Sequence, residues 1–306
     1  MATILITGGT GLIGSALSKK LVENGHHVVI LTRNIANKKS TRILSYAEWD
    51  PSKGIYHSKD FANADAIVHL AGANVAEKRW TEARKKEIID SRVKSSALII
   101  RALQETPNHV SAVVSASAIG YYGPDKGSHK GFIEDAPHHR DFLGDTVSDW
   151  EASISPVTQM GKRLVIFRTG IVLSTEGGAF KEFKKPLQFG VASILGSGQQ
   201  VVSWIHIDDM VRLYVAALED ESWKGTYNAV APVPVTNKDL VLSMARQNNK
   251  VFVPMYVPSF VLKTLLGEMS VEVLKSSTVS AAKLEQKGFL FLFPTIDKAV
   301  ASLLKK

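Results

Sequence analysis

The sequence predicts an α/β protein: a doubly wound parallel sheet with a smaller C-terminal α+β lobe. Three observations carry this. Short apolar runs alternate with amphipathic stretches from residue 3 to about 173, a glycine-rich turn joins the first run to the first helix, and the alternation breaks down beyond residue 173. Strands alternating with helices are the pattern of right-handed βαβ units, which place helices on both faces of a parallel sheet.

The elements follow in order. "TILIT" (3–7) is a short apolar, partly β-branched run and reads as a strand. A helix follows over Ser15–Val22, closed by Asn24–Gly25, and "HVVILT" (27–32) forms the second strand. "AIVHLAG" (66–72) is the third strand of the pattern. The clearest helix runs from Thr81 to Gln104, with Ile88, Ile89, Val93, Ala97, Ile100 and Leu103 expected on one face and Pro107 as its stop. "SAVVSAS" (111–117) and "RLVIFRTGIVL" (163–173) supply two more strands. Further on, Gly177–Gly178 and the Gly196–Ser197–Gly198 turn interrupt the pattern, and "WIHIDDM" (204–210) reads as a strand entering a helix. The expected division is a nucleotide-binding domain over 1–172, with 200–225 packing back onto it, and a smaller substrate lobe over 173–199 and 226–306.

Composition limits the classes of function. The chain has 306 residues and 45% hydrophobic content, enough for a sizeable core. No apolar run approaches the roughly 18 residues of a membrane helix, and "MATILITGG" lacks the basic flank and cleavage site of a signal peptide, so a cytoplasmic protein without a membrane partner is expected. The absence of cysteine rules out disulfides, thiolate zinc sites and a cysteine nucleophile. The formal charge of +8 is scattered along the chain, which favours a phosphate-bearing small molecule over nucleic acid as the partner. Oligomeric state is not legible.

Gly8, Gly11 and Gly14 form G-x-x-G-x-x-G between the first strand and the first helix. Glycine there lets backbone amides at a helix N-terminus meet a pyrophosphate with no Cβ in the way, which makes the sheet Rossmann-type and makes Gly8, Thr10, Gly11, Leu12, Ile13 and Gly14 candidates for holding a dinucleotide. About 20 residues on, where an NAD site places a carboxylate on the ribose, the chain has Thr32 and Arg33. An arginine there can stack on adenine and pair with a 2′-phosphate, so NADP(H) is the expected cofactor.

"TGGTGLIG" (7–14), "HLAG" (69–72), "SASAIGYYG" (115–123) and "SWIHIDD" (203–209) together resemble the extended or atypical short-chain dehydrogenases/reductases. More narrowly, they resemble the sugar-nucleotide-epimerase-like branch. Residues 257–300 are similar to a small C-terminal module of uncharacterised role found in that branch, placed here at about 255–302. The resemblance implies NADP(H) binding, with Leu70, Ala71 and Gly72 on the adenosine side, Glu87 and Arg92 facing the cofactor, Val172 near the nicotinamide, and a substrate cleft under the C-terminal lobe.

The chemistry departs from that pattern. The wider superfamily uses Ser with Tyr-x-x-x-Lys on a helix, the lysine helping the tyrosine to pass a proton. Ser117 matches the serine, but with "DWE" (149–151) set on the usual downstream glutamate, the tyrosine and lysine places hold Leu143 and Val147, which cannot ionise. Tyr122 and Lys126 have the right spacing, yet Gly123 and Pro124 lie between them and oppose a helical turn. The candidate catalytic residues are therefore Ser117, Tyr121 and Tyr122. The loop from Pro124 to Gly144 reads as a lid, and its His129, His138 and His139 lack metal-ligand spacing. A reductase or epimerase-like enzyme acting on a small molecule's carbonyl or hydroxyl is expected, the alternative being a non-catalytic NADP(H)-responsive protein.

Overall fold

Alternate residues of the central strands face opposite sides of one sheet, and both sides are apolar, as a sheet covered on two faces requires. The computed structural model describes residues 1–125, 131–248 and 251–305. Its main sheet contains β1 (Thr3–Thr7), β2 (His27–Thr32), β3 (Leu44–Glu48), β4 (Ala66–His69), β5 (Ala112–Ala118) and β6 (Arg163–Thr169). A seventh strand, β11 in chain order (Gly225–Ala229), adds beside β6. The order is β11-β6-β5-β4-β1-β2-β3, parallel throughout, so the chain reverses direction across the sheet between β1 and β4. Open α/β sheets bind ligands at the carboxyl ends of the strands beside such a reversal.

Among the described residues, five helices accompany the sheet, α1 (Leu12–Glu23), α2 (Ser58–Ala62), α3 (Glu82–Glu105), α4 (Phe142–Ile154) and α6 (Ile207–Glu219), while α5 (Gly178–Leu187) belongs to the smaller lobe. Ile4, Ile6, Val28, Ile30, Val114 and Phe167 pack one face against Leu17 and Leu21 of α1 and Met210, Leu213 and Tyr214 of α6. Leu5, Val29, Leu31, Ile67, Val113 and Ile166 pack the other against Leu98, Ile99, Ala102 and Leu103 of α3 and Ile154 of α4.

The smaller lobe has three two-stranded sheets. β7 (Ile171–Leu173) pairs with β10 (Trp204–His206), β8 (Val191–Leu195) with β13 (Val253–Val257), and β9 (Val201–Val202) with β12 (Val235–Thr236). Phe180, Trp204, Leu240, Met244, Val300 and Leu303 form its core. They draw on α5, on α7 (Asn237–Gln247) and on α11 (Ile296–Leu304). Between these last two helices lie α8 (Ser259–Leu266), α9 (Ser270–Leu274) and α10 (Ala282–Gln286). Leu284 of α10 is buried in the core of the main sheet, so the C-terminal module is packed into the body of the molecule.

Four expectations change. The run 163–173 is two strands: at Gly170 a Cβ would lie 2.7 Å from the Ser203 carbonyl oxygen, and past this point the chain leaves the main sheet to pair with β10. Residues 225–229 form a strand of the main sheet beside β6, whereas residues from 226 were expected in the smaller lobe. The buried side of α3 keeps Ile88 and Leu103 of the expected face but is turned between them: Ser95, Ser96, Leu98, Ile99 and Ala102 are buried, Ile89, Val93 and Ile100 are half-buried, and Ala97 is exposed. Ser95 and Ser96 satisfy their hydroxyls on Arg92 O, and both approach His69 Nε2, so polar groups occupy part of the helix's inner side.

The fourth concerns the expected lid, whose residues 126–130 lie outside the described ones. The flanking residues are pinned. Asp125 accepts from the amide and hydroxyl of Thr278, both at 2.7 Å, and Phe132 exchanges backbone hydrogen bonds with Thr278 and Ser280. Glu134 accepts from the amide of Asn228, and residues 142–144 are the first turn of α4.

Candidate functional site

The glycine turn is built by contacts that exclude side chains. Gly8 has φ +68°, and a Cβ on it would stand 2.7 Å from the backbone of Leu70; a Cβ on Gly14 would stand 2.3 Å from the carbonyl oxygen of Gly8. These two glycines press the turn against the end of β4 and fold α1 over it. Thr7 ties the same corner, its Oγ1 accepting from the amides of Leu70 and Ala71. Gly11 is different. Its φ is −77°, and the nearest atom to an added Cβ is the Gly8 carbonyl oxygen at 3.3 Å, so the fold itself asks little of a missing side chain there. Gly11 is the N-cap of α1 and no side chain caps the helix, so the first turn presents amides, at the positive end of the helix dipole, where an anionic group fits.

The other candidates for the cofactor gather around this turn. Leu12 packs against Gly177 and Gly178 at the start of α5, and Val172 of β7 lies beside the same glycine pair. Thr32 ends β2 and Arg33 follows it, exposed, with its charge felt at Glu87. The Arg84 guanidinium holds the carboxyl of Glu87 below its usual range, with a hydrogen bond of 2.6 Å. Arg92 reaches back along α3 to Gly72. Its Nη1 donates to the carbonyls of Ala73 and Ile88, and its guanidinium lies 5.0 Å from the Trp150 ring centroid. Burial pushes its pKa down to about 10, the charge of Arg84 adding to the effect.

His69, at the end of β4, is wholly buried between Thr7 and Ser96, and burial, helped by the charge of Arg92, pushes its pKa down to about 3. It is neutral in the native state, whereas an unfolded chain protonates it below about pH 6.5. The unfolded state thus binds more protons between pH 6.5 and 3, so stability falls as pH falls through that window. From pH 7 to pH 5 the loss from this residue is about 2 kcal/mol. Urea melts at the two pH values check this, with His69→Gln expected to flatten the difference.

Ser117, Tyr121 and Tyr122, the catalytic candidates, surround one arginine. Arg168, next to the carboxyl end of the apolar β6, is 4% exposed and forks onto Glu151 of α4, with Nε to Oε1 and Nη2 to Oε2 both at 2.8 Å. Its Nη1 donates to the Tyr122 hydroxyl and to the carbonyl of Glu134, and its guanidinium lies 3.5 Å from the Tyr121 ring centroid. Ser117 donates to Glu151 Oε1 at 2.5 Å.

Tyr122 does not reach a cleft. It is 1% exposed, its hydroxyl donates to Asn228 Oδ1, and burial pushes its pKa up to about 12. This corrects its reading as a group that meets substrate. Arg168 was legible only as a charge interrupting an apolar strand, and Glu151 only as part of "DWE". Leu143 and Val147 are buried on α4, and Gly120 lies directly against Leu143.

His206, Asp208 and Asp209 serve the fold. His206 Nδ1 accepts from the Asp208 amide as the N-cap of α6, and Asp209, fully buried, accepts from the amides of Leu292 and Phe293 and from Arg212. No group of His, Asp and Glu that could hold a metal ion occurs among the described residues, nor does a helix long and apolar enough to cross a membrane.

A parallel sheet reversing beside a glycine turn, with an open helix N-terminus and a polar group at the end of the neighbouring strand, defines a Rossmann-type protein with a site for a nucleotide-like anion. The chain belongs to the epimerase family: residues 4–142 match the NAD dependent epimerase/dehydratase family and residues 257–303 match a domain of unknown function. An epimerase family protein of Staphylococcus aureus is 36% identical over the whole of both chains. Among solved structures, the human epimerase family protein SDR39U1 with NADPH is 29% identical, covers 99% of each chain and has a TM-score of 0.85. A nucleoside-diphosphate sugar epimerase from Corynebacterium glutamicum is 31% identical with a TM-score of 0.78, over 99% of this chain and 58% of that one.

Proposed function

We propose that the protein is an NADP(H)-dependent oxidoreductase or epimerase-like enzyme acting on a carbonyl or hydroxyl of a small molecule, sugar nucleotides included. The observation that carries the cofactor reading is Gly11: a helix N-terminus without a capping side chain, at a glycine whose added Cβ would meet one atom, the Gly8 carbonyl oxygen at 3.3 Å, a close contact that a small shift relieves. The turn from Gly8 to Gly14 would hold the pyrophosphate, Leu70, Ala71 and Gly72 the adenosine side, and Thr32 and Arg33 the ribose and 2′-phosphate. Glu87 and Arg92 on α3 would face the cofactor, and Val172 would sit near the nicotinamide, with Leu12 against the same glycine pair. The NADPH carried by the human relative supports this choice. When bound, the nicotinamide supplies hydride transfer.

The chain's own contribution would come from Ser117 and Tyr121. Ser117, itself 3% exposed, directs its proton at Glu151, and a substrate hydroxyl would reach its oxygen lone pairs only with that corner opened. Arg168 fixes Glu151 on one side and the Tyr121 ring on the other. Oxidation of NADPH across a panel of small carbonyl compounds tests the activity. Once a substrate is found, Ser117→Ala is expected to lower turnover by about 10²-fold with the melting temperature little changed. Full turnover in that variant would remove Ser117 from the mechanism.

Cofactor choice is tested separately. A charge-assisted contact to the 2′-phosphate contributes about 1.5–3 kcal/mol, so Arg33→Asp is expected to erase or invert a preference for NADPH over NADH. A second reading, a non-catalytic NADP(H)-responsive protein, is favoured by Leu143 and Val147 at the places of the missing dyad and by the sealed hydroxyl of Tyr122. Saturable NADPH binding with no oxidation by any carbonyl compound would favour it.

A further inference from the structure

The phosphate turn has a second neighbour that the cofactor reading does not use. Between α1 and the β2–β3 edge lies a cavity of about 600 Å³, within the size range of small-molecule sites. Its floor is apolar and partly aromatic, made by Ile30, Leu44 and Tyr46. Lys19 and Lys38 stand at its border and make no ion pair among the described residues; Lys38 Nζ lies 5.6 Å from the Tyr46 ring centroid. Ser18 in the wall is 4% exposed, and its hydroxyl is buried without a hydrogen-bond partner. A buried hydroxyl left unsatisfied is uncommon.

The charge around the cavity is one-sided. The segment from Arg33 to Ile43 that joins β2 to β3 carries Arg33, Lys38, Lys39 and Arg42 and no Asp or Glu. The one carboxylate in the lining, Glu23, lies 3.8 Å from Lys20. Unpaired cations beside an apolar floor suit a ligand that joins a negative group to a flat apolar body, the ring lying along Tyr46 and the anion meeting Lys38 and Lys19. Of the dinucleotide candidates, Thr10 lines the cavity and Thr32 and Arg33 stand at the end of β2 near it, whereas Leu70–Gly72, after β4, and Glu87 and Arg92, on α3, lie beyond β1.

We infer that this cavity is a second ligand site, separate from the dinucleotide groove, for a small aromatic or otherwise flat apolar anion. Its wall includes Gly9 and Thr10 of the phosphate turn, so an occupant would touch the same turn that is read as holding the cofactor.

The probe is the aromatic sulfonate 8-anilinonaphthalene-1-sulfonate, followed by its fluorescence with the full-length protein, free and saturated with NADP⁺, which does not itself emit. One site per chain is expected in both conditions. Lys38→Glu, an exposed change, is expected to weaken the dye at least tenfold, and Leu44→Trp, which fills the cavity, to remove the site. Melting curves of both variants establish that they are folded. Loss of the dye on saturation with NADP⁺ would place it in the dinucleotide groove and overturn the inference. So would unchanged binding in folded Lys38→Glu, which would place the dye on another surface.

Discussion

Gly11→Val is expected to abolish NADPH binding, at least a hundredfold in affinity, while the unliganded protein melts within a few degrees of the unsubstituted one. The backbone at Gly11 has φ −77°, open to any residue, and a Cβ there meets only the Gly8 carbonyl oxygen, at 3.3 Å. The valine methyls would then occupy the space in front of the α1 amides where a pyrophosphate must lie. Gly14→Val is the contrasting case. Its Cβ would stand 2.3 Å from the Gly8 oxygen and 2.6 Å from the Gly9 Cα, so it is expected to cost the fold itself. Melting curves of both variants with and without NADPH separate the two glycines. A Gly11→Val protein still stabilised by NADPH would remove the turn from the binding site.

Arg168→Ala is expected to destabilise the protein by about 3 kcal/mol, because it leaves the Glu151 carboxylate, 14% exposed, without its cation. It also takes a donor from the Tyr122 hydroxyl and from the Glu134 carbonyl. The net value of an intact buried pair is much smaller than the cost of breaking it, so the double variant Arg168→Met with Glu151→Met is expected to recover most of the loss. Urea unfolding of the single and double variants is the check. A mild effect of Arg168→Ala would mean that water reaches Glu151 and screens its charge.

The outline of the fold was legible because its signals are local. "TILIT", "HVVILT" and the helix from Thr81 carry their period in neighbouring residues, and the structure has β1 at Thr3–Thr7, β2 at His27–Thr32 and α3 from Glu82 behind the Thr81 cap. What was not legible depends on distant partners. Nothing around Gly170 tells that Ser203 will press against it, and nothing in residues 225–229 tells that they extend the sheet beside β6. The inner side of α3 was misplaced because apolar spacing cannot register Ser95 and Ser96 turned inward beside His69.

The candidate site divides in the same way. The glycine turn and Arg33 are sequence-local and could be read directly. Tyr121 and Tyr122 are adjacent in sequence and equally plausible there, yet one stacks on Arg168 and the other is sealed against Asn228, 106 residues away. Arg168 and Glu151 escaped notice as a pair because the fork that joins them spans two elements, β6 and α4.

The reading that everything else leans on is that the corner formed by Gly11, the open end of α1 and Arg33 holds NADP(H). The most direct test is calorimetric titration of the unsubstituted protein with NADPH and with NADH under the same conditions. One NADPH per chain, bound at least tenfold more tightly than NADH, is the predicted result. Equal affinities, or no saturable binding of either, would contradict it.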